Sequence, residues 1–313
     1  MKLVPGGVFD MGSDRFYPEE APVRKVRVTS FLMDEVPVTN TEFARFVAAT
    51  DHVTLAELAP SVVDYPGLLP EMAVAGSMVF DPDRPTGTLR DPTPWWTYRA
   101  GADWRHPLGP GSGIEDLGEH PVVHVSYADA QAYAVWAGKS LPTEAQWERA
   151  ARGGLDGADY AWGHELAPDG AMMANYWQGE FPYTNTLADG WERTSPVRAF
   201  PANRYGLFDV IGNVWEWTRD WWSRPRATAP STDCCGIPEN PRGGTRHGSV
   251  DIVTNDGIPR KVIKGGSHLC ASNYCRRFRP AARHPQPIDS PTSHIGFRCV
   301  VDLHPLGVKG WVD

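Results

Sequence analysis

The chain has little cysteine for its length, five residues in 313. The number is odd, and so few in so long a chain exclude a disulfide framework of the small secreted kind. It has no run of about 18 apolar residues, so no stretch reads as a membrane-spanning helix. It has no excess of positive charge: Lys and Arg number 30 against 38 Asp and Glu, a net charge of −8. That balance argues against nucleic acid and against an anionic membrane surface as partners. The opening MKLVPGGVFDMGS lacks the charged and apolar regions of a secretory signal, and a cytoplasmic, bacterial location is expected. In place of long helical patterns stand 31 glycines, 29 prolines and 13 tryptophans. This is a composition of turns and irregular loops rather than of a helical bundle. Hydrophobic residues still make up 41%, enough for a substantial core.

Along the chain, Val23, Val26 and Val28 alternate with charged residues before Phe31, Leu32 and Met33, and strands are expected there. Thr39 with Glu42 forms a capping box, and Phe43, Phe46 and Val47 follow at helical spacing. Residues 51–119 are dense in breakers, among them YPGLLP, DPDRP and DPTPWW. A loop-rich excursion of that length suggests function, and its Trp95, Trp96 and Trp104 are candidate substrate-contacting aromatics. Two further helices are expected, capped by Ser126 with Asp129 and by Thr143 with Gln146, and ended by Gly138 and Gly153. After Gly153 the pattern is of short strands and long loops. The expectation is an α+β fold in a single domain over residues 1–313, without internal repeats.

Cys270 and Cys275 carry the most chemistry, in KGGSHLCASNYCRRFRPAAR. A four-ligand zinc site needs a second pair at similar spacing, and the adjacent Cys234 and Cys235 make a poor chelate. Two readings stay open: a local disulfide or pair of buried thiols, and a two-thiolate site for a soft ion such as Cu(I). Arg276, Arg277, Arg279 and Arg283 would lower the thiol pKa values if they faced the pair, although an arginine run is commonly a solvated face. Two acidic loops, residues 175–191 and 209–217, could supply oxygens to calcium, or could be ordinary turn carboxylates. His120 and His124 would share one face of a strand, a pattern more often structural than metal-binding.

These segments together resemble the formylglycine-generating enzymes, the sulfatase-modifying factors. The resemblance runs from PGGVFDMGS through PVTNTEFARFV, LPTEAQWERAARGG and GNVWEW to the C-x(4)-C pair and HIGFRC. LPTE-x-x-WE and GNVWEW mark only a broader superfamily; the cysteine pair in KGGS-x-x-C is the specific mark. The resemblance implies a C-type-lectin-like fold with few short helices and mixed or antiparallel strands. It implies an oxidase that converts a cysteine in a C-x-P-x-R motif of an unfolded sulfatase to Cα-formylglycine, using O2 and a reductant. Cys270 and Cys275 would hold Cu(I) nearly linearly, with Ser267, Tyr274 and Trp215 orienting oxygen, substrate and the pair. One structural calcium would take Asn175, Asp189 and the carbonyls of Tyr176 and Trp191. Another would take Asp209, Glu216 and the carbonyls of Gly212 and Val214, with Asp209 where relatives often have Asn. A monomer is implied. Cys299 is expected to be a buried thiol. Gly76 stands where relatives often carry an acidic residue that reads the substrate arginine. The rival readings are a non-catalytic binding module of the same fold and a metal-free thiol–disulfide protein.

Overall fold

The computed structural model describes residues 1–81, 95–224, 236–251 and 256–303; Cys234 and Cys235 lie outside them. Among the described residues three α-helices form, each at a capping box: α1 (Asn40–Thr50), α2 (Tyr127–Trp136) and α3 (Glu144–Arg152). In each the cap hydroxyl accepts from the third helical amide while that residue's side chain bonds back, an arrangement worth about 1 kcal/mol per cap. Left-handed Gly153 closes α3. Beyond it, only short 3-10 turns interrupt strands and loops among the described residues.

The strands are short. β1 (Lys2–Val4), β4 (Phe31–Met33) and β11 (Val300–Asp302) make one antiparallel sheet in the order β1-β4-β11. β2 (Gly7–Met11) pairs with β3 (Arg24–Val28). β5 (Gly76–Phe80) pairs antiparallel with β6 (Trp96–Ala100). The central sheet contains β7 (Trp215–Trp221), β8 (Arg260–Lys264), β9 (His284–Pro287) and β10 (Ile295–Gly296). Its order is β10-β7-β8-β9, and only the β10–β7 pair is parallel. The α+β reading therefore holds.

Two local expectations do not. The β5–β6 pair sits inside the stretch expected to be loop. β5 is buried at four of its five positions, so it shows no apolar–polar alternation to read. His120 and His124 lie on no strand. His124 has a left-handed backbone (φ 59°) and is held by Ser77 and the Pro107 carbonyl, while His120 bonds Thr194.

One hydrophobic core draws residues from Val4 to Val300. Trp104 belongs to it: buried, edge-on to Phe43 at 5.2 Å, it does not reach the cleft described below. A smaller aromatic cluster of Phe80, Trp95, Trp177, Phe181, Leu269 and Ala271, with Trp96 and Tyr274 against it, forms a separate wall. Between α3 and β8 lie buried charges. Glu148 accepts from Lys264 (3.0 Å), Arg152 (2.7 Å) and the Gly12 amide (2.7 Å).

Candidate active site

The segment 264–283 leaves β8 at the buried Lys264 and turns at once through Gly265 and Gly266. Gly266 has φ +72°, and a Cβ there would meet the Phe278 amide nitrogen at 2.8 Å, so only glycine lets the two ends of the cysteine loop touch. Downstream, Arg279 forms a buried bidentate pair with Glu20, and Arg283 another with Glu144. Phe278 stacks on Tyr176 at 4.7 Å. The loop is thus fixed on both sides of its cysteines.

Two neighbouring loops brace it. The Trp177 amide donates to the Cys270 carbonyl (3.0 Å) and the His268 amide to Asn213 (3.0 Å). The Gly212 amide donates to Gly265 (3.0 Å) and that of Asn213 to Asn175 (2.8 Å). Gly212 has φ +76° and a Cβ on it would meet the Asn175 carbonyl oxygen at 2.2 Å. These are the two loops expected to bind calcium.

Cys270 is buried and Cys275 partly exposed, and both are free thiols with their sulfurs 3.3 Å apart. The Ser267 amide points at Cys270 Sγ (3.4 Å) and Arg277 Nη1 at Cys275 Sγ (3.9 Å). Burial pushes the Cys270 thiol well up. The hydrogen bond from Cys270, together with Arg277, holds Cys275 down at about 6 despite its burial. The asymmetry favours negative charge on the outer sulfur, with Cys270 as the hydrogen-bond donor. Of the four arginines expected to act on it, only Arg277 reaches it. It is fixed by Glu19 (2.6 Å) and lies 3.9 Å over the Tyr17 ring. Arg279 and Arg283 serve buried ion pairs, and Arg276 bonds Tyr160.

The pair opens into a cleft of about 460 Å³. Trp95, Trp96, Trp215, Ser267 and Tyr274 line it, as the sequence suggests; Trp104 does not. Tyr274 stacks flat on Phe181 (4.8 Å) and meets Trp95 edge-on. Burial pushes its phenol up to about 12, so it remains a donor. Two cleft residues escaped sequence reasoning, His284 and His294. Burial lowers the first to about 4 and the second well below its ordinary value, so both are neutral imidazoles at neutral pH. His284 lies 5.8 Å from Trp215, and His294 is 4.7 Å from Trp96 and bonded to Thr292 (2.7 Å). His284 lies in no motif, and His294 opens the HIGFRC segment, where its position suggests no role.

The donor set fits a soft ion better than a hard one. Among the described residues no cluster of three or more His, Cys, Asp or Glu forms a metal site, while the two sulfurs, one already a thiolate, suit a two-thiolate ligand set. The two sulfurs stand 3.3 Å apart, Cys275 the more exposed of the two.

The calcium loops differ. In the first, Asn175 Oδ1 is buried with no hydrogen-bond partner, and burial raises the Asp189 carboxyl. Gln178 bridges Asp189 and the Tyr176 carbonyl. A buried oxygen without a partner and a desolvated carboxylate in the same loop fit a cation. In the second, burial pushes Asp209 up to about 6, which also fits. Glu216 is engaged elsewhere: both its oxygens accept from Arg298 (2.8–3.0 Å), and one from Trp147 (2.7 Å). The second set thus fits only in part.

Residues 1–303 match the family described as sulfatase-modifying factor enzyme 1-like domain. A formylglycine-generating enzyme of Mycobacterium tuberculosis is 52% identical over 301 residues, 96% of each chain. A Bos taurus protein named inactive C-alpha-formylglycine-generating enzyme 2 is 46% identical over 305 residues, covering 96% of this chain and 87% of its own. Among solved structures, PvdO from Pseudomonas aeruginosa superposes with a TM-score of 0.62 at 24% identity, over 96% of this chain and 93% of its own, a likeness of fold. The chain, matched over nearly its whole length, belongs to the sulfatase-modifying factor family.

Proposed function

We propose that this protein oxidises a cysteine of an extended sulfatase polypeptide to Cα-formylglycine, with Cu(I) held by Cys270 and Cys275. The observation that carries the reading is the pair of free cysteine sulfurs, 3.3 Å apart, at the floor of an aromatic cleft. Family membership alone would not, because one relative of 46% identity bears the name inactive. Overall, the substrate thiol, one O2, two electrons and two protons become the aldehyde, sulfide and water. Copper would supply the binding and activation of O2.

The chain's own residues supply the rest. Cys275, kept charged by Cys270 and Arg277, is ready to ligate without first losing a proton. The Ser267 amide and burial fix Cys270. Trp95, Trp96, Trp215 and Tyr274 wall the cleft and limit water at the reacting cysteine. His284 and His294, neutral, add no competing positive charge. The proposal includes structural calcium at Asn175 and Asp189, with a second ion at Asp209. The proposal also takes over the monomer that the family resemblance implies and a bacterial cytoplasmic location.

The test uses the copper-loaded protein, a peptide with a Cys-x-Pro-x-Arg core, O2 and a thiol reductant, read by mass. Wild type is expected to give the aldehyde. Cys270→Ser is expected to lose at least about a hundredfold in rate, on the scale of removing a metal-activating group. Copper affinity, measured by competition with a Cu(I) chelator, should fall in the same variant. Equal product from wild type and Cys270→Ser would sink the assignment.

A further inference from the structure

A cavity of about 280 Å³ backs onto the cysteine cleft, and Phe80 and Leu269 line both. At those two places the wall between them is one side chain thick. Leu269 is the chain neighbour of the buried Cys270. The cavity is also tied to the cysteine loop through Trp177, which lines it. The Trp177 amide donates to the Cys270 carbonyl (3.0 Å), and its indole is held by the Thr184 carbonyl (3.0 Å). On the opposite side Tyr183 and Leu187 line the cavity and stand in solvent, at 59% and 43% exposure. The cavity therefore opens outward at one end and ends against the cysteine loop at the other.

The inner wall is apolar. Phe80 meets Trp177 edge-on at 6.1 Å and Phe181 at 5.6 Å, and neither Phe80 nor Leu269 carries a polar side-chain atom. A rotamer change at Leu269 opens the wall without breaking a hydrogen bond. Water and ions must shed hydration to cross such a wall. A small apolar gas has none to shed, and apolar protein cavities take up xenon. The polar residues of the cavity, Glu192, Arg193 and His268, stand apart from this pair in type. The reaction proposed above brings two molecules to one pair of sulfurs, a polypeptide and O2. Cys270 and Cys275 line the cleft and not this cavity. A polypeptide whose cysteine reaches them covers them from the cleft side.

We propose that this cavity is the inlet for O2. The gas collects against Phe80, Trp177 and Leu269 and passes Leu269 to the sulfurs while the polypeptide occupies the cleft. The inference rests on the oxidase reading for the identity of the gas. The inlet performs no chemistry; it separates the paths of the two substrates, and its apolar wall holds back water and ions from the reacting cysteine.

Two measurements test it, one of which needs neither metal nor turnover. Crystals of the metal-free protein under xenon pressure should show xenon against Phe80, Trp177 and Leu269; a cavity without xenon would overturn the proposal. Oxygen kinetics of the copper-loaded protein at saturating peptide test passage. Leu187→Trp places an indole at the outer mouth, away from the cleft. It should lower kcat/KM for O2 at least about fivefold with kcat at saturating O2 and KM for the peptide preserved, the pattern of hindered access rather than altered chemistry. Leu187→Ala should stay at or above the wild-type value. Equal kcat/KM for O2 in wild type and Leu187→Trp would overturn the proposal. So would a matching fall in kcat at saturating O2, which would mean a disturbed cysteine loop. Should Leu187→Trp not fold, the xenon experiment on wild type alone decides. Aldehyde formation with kcat/KM for O2 indifferent to residue 187 would leave the oxidase reading standing and remove this one. Xenon in the cavity with no aldehyde from wild type would remove the oxidase reading, and with it O2 as the occupant.

Discussion

The cleft has a floor and a flank built on opposite principles. The floor, residues 264–283, is fixed by buried ion pairs: Lys264 with Glu148, Arg279 with Glu20, and Arg283 with Glu144. The flank, residues 55–72, is held by short turns and leaves Leu58, Val62, Val63 and Leu69 in water. Burying charge is costly and tolerates no missing partner, so it suits a place where two sulfurs must keep one geometry. Exposed aliphatic side chains cost little by themselves and adapt to whatever covers them, which suits the recognition of an extended chain. On the proposed reading, precision of ligand geometry and breadth of grip fall to different segments.

The largest effect expected from breaking this arrangement is in the floor. Glu148→Gln would leave Lys264 and Arg152 buried without their shared anion, a loss of about 3–5 kcal/mol, read as a drop in the denaturant midpoint. pH should show the same dependence. Burial alone would raise the Glu148 carboxyl, yet Lys264, Arg152 and the Gly12 amide outweigh it and hold it at about 2 against an ordinary 4.5. Its folded-state pKa is depressed, so its stabilisation is complete above about pH 4.5 and is lost as pH falls towards 2. The variant should lack that part of the acid limb. An unchanged acid midpoint in Glu148→Gln would place the floor's stability elsewhere.

The helices and the cysteine pair of the floor are legible from sequence because their signals are local. Capping boxes at Thr39, Ser126 and Thr143 each lie within four consecutive residues, and the C-x(4)-C pair within six. The walls around the pair are not legible. Trp95, Trp96 and Trp104 look alike in a proline-rich stretch, and only tertiary packing sends Trp104 into the core beside Phe43. His284, His294 and Asp289 reach their sites from strands and turns paired across long separations; Tyr65 meets Asp289 over 224 positions. Likewise, four arginines follow the cysteines, but which one reaches sulfur depends on Glu19 and Glu20, more than 250 residues away.

An intermediate effect is expected at the brace between floor and core. If the loop of Asn175 and Asp189 holds calcium, chelation should lower stability by about 2–3 kcal/mol at a metal concentration one hundred times the dissociation constant. It should also loosen the cysteine loop through Asn213 and Trp177, measurable as faster thiol modification at Cys275. Metal analysis of the purified protein is the companion measurement. Calcium-free protein with an unchanged melting temperature and unchanged thiol reactivity would detach the brace from any metal.

The smallest effect on stability is expected in the flank. Leu58 is about half exposed and lines an apolar trough next to the cysteine cleft, so Leu58→Ser should change folding stability by no more than about 0.5 kcal/mol, as surface substitutions do. Its effect should appear when substrate covers it. Removing a leucine that becomes buried on binding forfeits about 1 kcal/mol of transfer free energy for a half-exposed side chain, or roughly fivefold in peptide affinity. In turnover the change should fall on KM with kcat preserved, because the flank would grip the peptide equally before and during the reaction. A fall in kcat at constant KM, or a loss of stability comparable to that of Glu148→Gln, would show that the flank is part of the rigid scaffold after all.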